Sequence, residues 1–235
     1  MSKAGAALDL LRRVAAEYAP AALASGLGAE SMVLIDLALR DRLAIEVFVL
    51  DTGRLHGDTL DMLRRIGLRY GQAVRVVRPD PQAVAAYEQR FGRDAFYGSI
   101  ELRRRCCTIR KTEPLARALE GKRAWITGLR RGQSAERSRV LAEEWDAARG
   151  IAKFNPLADW SEAEVWEYLR ANDVPVHPLY AQGFRSIGCA PCTRPVLPGE
   201  DPRAGRWWWE IGQTRECGLH VAPDGRLARA RVQAL

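Results

Sequence analysis

Short apolar runs that end in a turn and hand over to a helical repeat narrow the fold of this chain more than any other feature. Ile45–Leu50 is one such run, closing at Asp51-Thr52-Gly53 and followed by a helical pattern over roughly Gly57–Tyr70. Val74–Val77 is a second, followed by Val84, Tyr87 and Phe91 at helical spacing; Ala124–Thr127 is a third, ending at Gly128. Runs this short have strand length, and strands separated by amphipathic helices require a parallel sheet with crossover connections. Leu8, Leu11, Val14, Ala15 and Tyr18 predict an opening helix, stopped by Pro20. Ser161-Glu162-Ala163-Glu164 fits a capping box whose helix carries Val165, Trp166 and Leu169 on one face. From Pro175 onward the pattern breaks into Pro, Gly and Arg. The expectation is one α/β domain over residues 1–198 and an irregular C-terminal segment over 199–235 that folds across the site.

A parallel sheet binds its ligands where strand ends meet helix N-termini, because unpaired backbone amides and the helix dipole both favour an anion there. Ser25-Gly26-Leu27-Gly28-Ala29-Glu30-Ser31, leading into the apolar stretch Met32–Leu39, supplies small residues, exposed amides and two hydroxyls. It resembles a degenerate form of the Ser-Gly-Gly-x-Asp-Ser phosphate loop of PP-loop ATP pyrophosphatases. Gly-containing turns into helices are common, so an ordinary strand-to-helix turn is the competing reading. The same holds for Leu50-Asp51-Thr52-Gly53-Arg54 at the next strand end.

The five cysteines say more. Cys106-Cys107 are adjacent, Cys189-Ala190-Pro191-Cys192 brings two thiols to one centre through a tight turn, and Cys217 is left over. Four soft ligands and a spare nucleophile point to a metal or iron–sulfur centre beside a reactive thiol. Adjacent residues rarely aim both side chains at one tetrahedral zinc, whereas a cluster offers each its own iron. Structural zinc and plain buried thiols are the alternatives. Arg103, Arg104, Arg105, Arg110 and Lys111 surround the adjacent pair, and cationic neighbours favour thiolates and balance a thiolate-rich cluster. Cys217 lies between Gly212 and Gly218 in polar sequence, with Arg215 before it and His220 after it. Positive charge there raises the thiolate fraction, which is the attacking form.

The formal charge of +7 comes from 36 basic against 29 acidic residues. That balance suits either a nucleic-acid binder or an enzyme for a small polyanion. Only four of the basic residues are lysines and the arginines are scattered, so a compositional preference for Arg explains much of the surface. Lys3, Asp9, Arg12, Arg13 and Glu17 interrupt the first twenty residues, and no apolar run reaches bilayer length. The expectation is a cytoplasmic protein, where paired cysteines more often hold metal or do redox work than form bridges.

Five segments in order carry a resemblance that covers nearly the whole chain. They are Cys106–Leu115 (Cys-Cys-x-x-Arg-Lys-x-x-Pro-Leu), Ile126–Ser134, Asn155–Trp160, Ser186–Thr193, and Gly205–Glu210 leading to Glu216-Cys217-Gly218-Leu219-His220. Together they resemble the assimilatory sulfonucleotide reductases, which act on adenylyl sulfate (APS) or phosphoadenylyl sulfate (PAPS). The resemblance implies a Rossmann-like parallel sheet flanked by helices, of the PP-loop or adenine nucleotide alpha-hydrolase-like kind. It implies a [4Fe-4S] cluster on Cys106, Cys107, Cys189 and Cys192. It further implies that Cys217 attacks the sulfonucleotide sulfur, releasing AMP and leaving a thiosulfonate that thioredoxin or a similar dithiol reduces to sulfite. By motif match, Lys111 lies between cluster and substrate, and His220, Arg203 and Arg206 are further candidates. Ser25, Gly26, Gly28 and Ser31 would hold the phosphate or sulfate, Leu50 and Gly128 the adenine, and Arg130 or Arg131 the phosphosulfate.

APS is the expected substrate, with PAPS or both as the alternative. Remoter readings are a PP-loop tRNA-thiolation enzyme and a zinc-stabilised nucleic-acid module. The altered loop argues against the first, and Cys217 has no role in the second. No nucleic acid and no membrane partner are expected, and a homo-oligomer is compatible with everything above.

Overall fold

The computed structural model describes residues 2–210. Cys217 and His220, and with them most of the expected 199–235 tail, lie outside the described residues. The chain begins with α1 (Lys3–Glu17), capped by Ser2 Oγ accepting from the Gly5 amide. It continues through β1 (Ala21–Ser25), α2 (Ala29–Arg40), β2 (Ile45–Leu50), α3 (Gly57–Tyr70), β3 (Arg75–Val77) and α4 (Pro81–Phe91). Next come α5 (Ile100–Cys107), a π turn over Thr108–Thr112, α6 (Glu113–Leu119), β4 (Ala124–Ile126), β5 (Glu143–Asp146), β6 (Ile151–Phe154) and α7 (Glu162–Ala171). Between 172 and 210 there are 3-10 turns at Pro178–Gln182 and Ala190–Cys192 and isolated bridges from Cys189 to Leu55 and from Thr193 to Arg206. No helix among the described residues is long and apolar enough to cross a membrane.

The six strands form one sheet in the order β3-β2-β1-β4-β6-β5. All pairs are parallel except β5–β6, an antiparallel pair at one edge. The expected parallel sheet is therefore present, with a hairpin at its margin that the sequence pattern did not announce.

Side chains alternate between the faces of a strand, and here both faces are buried. Leu23, Val47, Val49, Ile126 and Phe154 pack on one side against α1, α2, α3 and α7. Ala22, Phe48, Trp125 and Ile151 pack on the other against Leu115, Ala118 and Leu119 of α6. The Ser161 capping box forms as expected, its hydroxyl accepting from Glu164 N and the Glu164 carboxylate accepting from Ser161 N. Asp36, wholly buried on α2, accepts from Tyr70 of α3 at 2.8 Å and Tyr168 of α7 at 2.7 Å, tying three helices of one layer together.

One consequence of the strand order matters for function. β1 pairs with β2 on one side and with β4 on the other, so the chain direction of the crossovers reverses between β1 and β4. The carboxyl ends of these two strands flank a crevice, the position at which open α/β sheets bind ligands.

Candidate active site

A cleft of about 310 Å³ opens at that crevice. Its floor is built by local backbone chemistry. β1 ends at Ser25, whose Oγ accepts from Leu27 N at 3.0 Å and so folds the loop back on itself. Leu27 takes a left-handed conformation (φ 57°) with its side chain fully buried. Gly28 then occupies the N-cap of α2 without a capping side chain. The Ala29 amide is instead satisfied by the Tyr180 hydroxyl at 2.8 Å. Across the crevice Gly128 follows β4. A Cβ on it would lie 3.0 Å from Glu30 Cβ and 3.3 Å from Ser31 N, so only glycine lets the β4 end pass this close to the start of α2.

Ser25, Gly26, Gly28, Ser31, Leu50 and Gly128 all line this cleft, as do Lys111, Arg130, Arg203 and Arg206. Arg131 does not. Its Nε donates to Val140 O at 2.8 Å and its guanidinium pairs with Asp159, which turns it away from the crevice. Arg130 reaches the cleft already engaged: Nε donates to Glu30 at 2.9 Å and Nη1 to Trp160 O at 3.2 Å. Arg137, Arg185 and Gln133 also line the cleft and were not singled out from sequence, although Gln133 sits inside the Ile126–Ser134 segment. The cleft wall carries Lys111, Arg130, Arg137, Arg185, Arg203 and Arg206 against Glu30 and Glu162. That excess of positive charge selects for an anion.

The cysteines meet next door. α5 starts at Ser99, whose Oγ accepts from Leu102 N at 3.1 Å, and ends with Cys106 and Cys107. The π turn that follows inserts an extra residue per turn, a feature often found at functional sites. Within it Arg110 and Lys111 are both buried. Arg110 is fixed by donating to Thr52 O at 2.8 Å and to Glu88 at 2.6 Å. The Cys189–Cys192 turn is held to the end of β2 by Ala190 N donating to Arg54 O at 2.8 Å and by a Thr52 Oγ1–Cys189 Sγ contact at 3.2 Å. Cys106, Cys107, Cys189 and Cys192 line one small cavity with Phe96, Arg103 and Lys111. None of the four forms a disulfide.

The electrostatics of the four differ. Burial and the neighbouring Cys107 push Cys106 up to about 11. Burial and Cys189 push Cys192 up to about 12. Burial also works against ionisation of Cys189, yet Lys111, Thr52 and Arg206 together hold it below the usual thiol range. Cys106 and Cys192, so placed, resist ionising unless a cationic metal neutralises them. Among the described residues no three His, Cys, Asp or Glu side chains converge tightly enough for a single metal ion. Two buried indole donors, Trp207 Nε1 and Trp209 Nε1, lie in the same apolar group as the cysteines and have no acceptor among the described residues. Four cysteines spread around one cavity fit a multi-iron cluster, which offers a separate iron to each.

Lys111 and Cys189 line both the cleft and the cysteine cavity. Residues 20–195 match the family described as the phosphoadenosine phosphosulfate reductase domain. The chain belongs to that family.

Among curated relatives, the adenosine 5'-phosphosulfate reductase of Allochromatium vinosum is 52% identical over 219 residues, covering 93% of this chain and 86% of that protein. The protein of the same name from Burkholderia cepacia is 53% identical over 212 residues, 90% of this chain and 85% of that one. Among solved structures, a phosphoadenylyl-sulfate reductase from Candida auris in a phosphate complex superposes with a TM-score of 0.70. It is 23% identical and covers 80% of this chain and 90% of that one. An FMN adenylyltransferase from Candida glabrata gives 0.54 at 15% identity, over 96% of this chain and 79% of that one. These last two likenesses speak to the fold alone. Family membership and geometry agree on one point. The segments that carry the resemblance, Cys106–Leu115, Ile126–Ser134 and Ser186–Thr193, converge on the walls of the same two cavities.

Proposed function

We propose that this chain reduces adenylyl sulfate to sulfite and AMP, with thioredoxin or a similar dithiol protein as reductant. The observation that carries the reading is Lys111, buried between an anion-selecting cleft at the switch point and a four-cysteine cavity. Relatives about half identical over nine-tenths of the chain bear the name of that activity.

In this reading the adenine side of the nucleotide lies toward Leu50 and Gly128, and the phosphosulfate toward the Ser25–Ser31 loop and the arginines. The Cys217 thiolate attacks the sulfonate sulfur, and the sulfur–oxygen bond to phosphate breaks. AMP departs with that electron pair, leaving a thiosulfonate on Cys217. Lys111, Arg203 and Arg206 oppose the negative charge gathering on the phosphate, the kind of stabilisation that lowers such barriers most. His220 lies three residues beyond the nucleophile and adds to the positive charge that favours its thiolate. A thiol of the reductant then attacks the Cys217 sulfur and sulfite leaves with its pair. The reductant's second thiol resolves the mixed disulfide, so two electrons come from one dithiol. Cys106, Cys107, Cys189 and Cys192 would hold a [4Fe-4S] cluster, which would supply fixed charge next to Lys111.

The test is an anaerobic reaction without reductant, offering APS and PAPS separately, read by intact mass and peptide mapping. One SO₃ group on Cys217 from APS alone supports the reading. Transfer from PAPS as well broadens the substrate and leaves the mechanism standing. No adduct with either, in protein of full iron content, overturns it.

A further inference from the structure

The described chain ends at a buried ion pair that the mechanism above does not use. Arg103, on α5, donates through Nε and Nη2 to the two carboxylate oxygens of Glu210 at 2.7 and 2.8 Å. Both side chains are 3% exposed. A two-pronged guanidinium–carboxylate pair fixes orientation as well as distance, and breaking one half leaves a charge buried without its partner. The pair is not isolated. The Arg103 guanidinium lies 4.7 Å from the centre of the Trp207 ring and also faces Cys107, four residues on along α5. Trp207 packs with Cys107, Cys189 and Cys192, and its amide donates to Cys192 O at 3.2 Å. Its backbone is left-handed (φ 44°), which a tryptophan adopts only where its surroundings enforce it. Glu210 N in turn donates to Trp207 O at 2.9 Å.

One residue therefore touches the cysteine helix, the tryptophan over the cysteines and the origin of the segment that bears Cys217. We propose that Arg103 is a positioning residue, anchoring that segment to the four-cysteine site so that Cys217 starts from a fixed point and direction. The proposal rests on the reading of Cys217 as nucleophile. Chain length sets the scale. Cys217 follows Glu210 by seven residues, so the anchor confines it within about 25 Å. Without the anchor, the next fixed point back is Trp207, held by its amide hydrogen bond to Cys192 O and ten residues from Cys217. Lengthening a tether that much lowers effective concentration only about twofold. A larger loss of rate would have to come from lost direction.

The experiment compares full-length wild type with Arg103→Met, Arg103→Lys and Glu210→Gln, each with its iron content measured. Hydrogen exchange is read on peptides spanning 204–216. APS kinetics and single-turnover transfer of SO₃ to Cys217 are read on the same preparations. In Arg103→Met we expect exchange in that peptide to rise at least tenfold and transfer to slow at least tenfold. KM for APS should stay within twofold and iron content should be unchanged. Arg103→Lys and Glu210→Gln, which keep one hydrogen bond, should recover part of both losses. Unchanged exchange in Arg103→Met would overturn the proposal. So would a parallel loss of iron and APS binding, since Arg103 would then only support the fold. If wild type itself transfers nothing to Cys217, the nucleophile reading falls, and the exchange measurement still decides whether Arg103 anchors the segment.

Discussion

Replacing Gly188 by alanine should disable the cleft without unfolding the protein. A Cβ at 188 would lie 2.5, 2.6 and 2.8 Å from the Nη2, Cζ and Nη1 atoms of Arg206. Ordinary contacts begin near 3.4 Å, so the guanidinium must retreat by about 1 Å; it can do so because it is the free end of a flexible side chain. In retreating it gives up its hydrogen bond to Ile187 O at 3.2 Å and its place 4.7 Å from the Trp207 ring centre. Those losses are worth about 1 kcal/mol for the hydrogen bond and about 1 kcal/mol for the cation–π contact. Their sum of about 2 kcal/mol would lower Tm by roughly 4–8 °C in a chain of this size. The functional cost is larger, because a donor displaced by about 1 Å from developing charge loses roughly 100-fold in rate. The assay is kcat/KM for APS with a reducing dithiol protein, alongside thermal unfolding and iron analysis to check the neighbouring Cys189, proposed above as a cluster ligand. Activity within threefold of wild type, with the small Tm change observed, would refute the placement of Arg206 at the reacting end of the cleft.

The first of two further predictions separates arginines that look alike in sequence. Arg131→Ala should leave kcat/KM within threefold of wild type, because its side chain is spent on Val140 O and Asp159; Arg137→Ala, which removes a buried cation from the cleft wall, should lower it at least tenfold in the same steady-state assay. The second concerns stability against pH. Hydrogen bonds from Lys3 and from the Ser161 amide and hydroxyl hold Glu164 at about 2, below its ordinary value of 4.5. A carboxylate depressed on folding contributes stability that is complete above its unfolded pKa and is lost as pH falls through its folded one. The Tm difference between wild type and Glu164→Gln should therefore be constant above about pH 5 and shrink toward pH 2. A difference that grows on acidification would show that the capping carboxylate is not the titrating group.

Much of the fold was legible in the sequence, where the signal is local. β2 lies where the Ile45–Leu50 run predicted it, α3 spans Gly57–Tyr70, and the Ser161 capping box makes both of its hydrogen bonds. β1 gave no such signal. Its sequence, Ala-Ala-Leu-Ala-Ser, has weak strand propensity, and pairing with β2 and β4 on either side makes it the strand that borders the crevice. The β5–β6 hairpin escaped notice for the opposite reason. Charged residues such as Glu144, Asp146 and Lys153 interrupt its pattern, and they are buried only because Lys153 pairs with Glu144 and Asp146 with Arg149.

The candidate site divides along the same line. Residue type and spacing alone suggested the chemistry proposed above: paired thiols for soft metal, a small-residue loop for an anion, a further cysteine for attack. These are properties of side chains and short turns, and they survive without knowledge of the fold. Which basic residue does what was decided by tertiary structure. Arg130 and Arg131 are neighbours in the chain, yet one meets Glu30 across a separation of 100 residues while the other meets Asp159. Arg103 meets Glu210 across 107 residues. A long cation takes its direction from the carboxylate or carbonyl that satisfies it. Because that partner arrives from a distant strand end or loop, only the folded chain fixes which charges face the cleft.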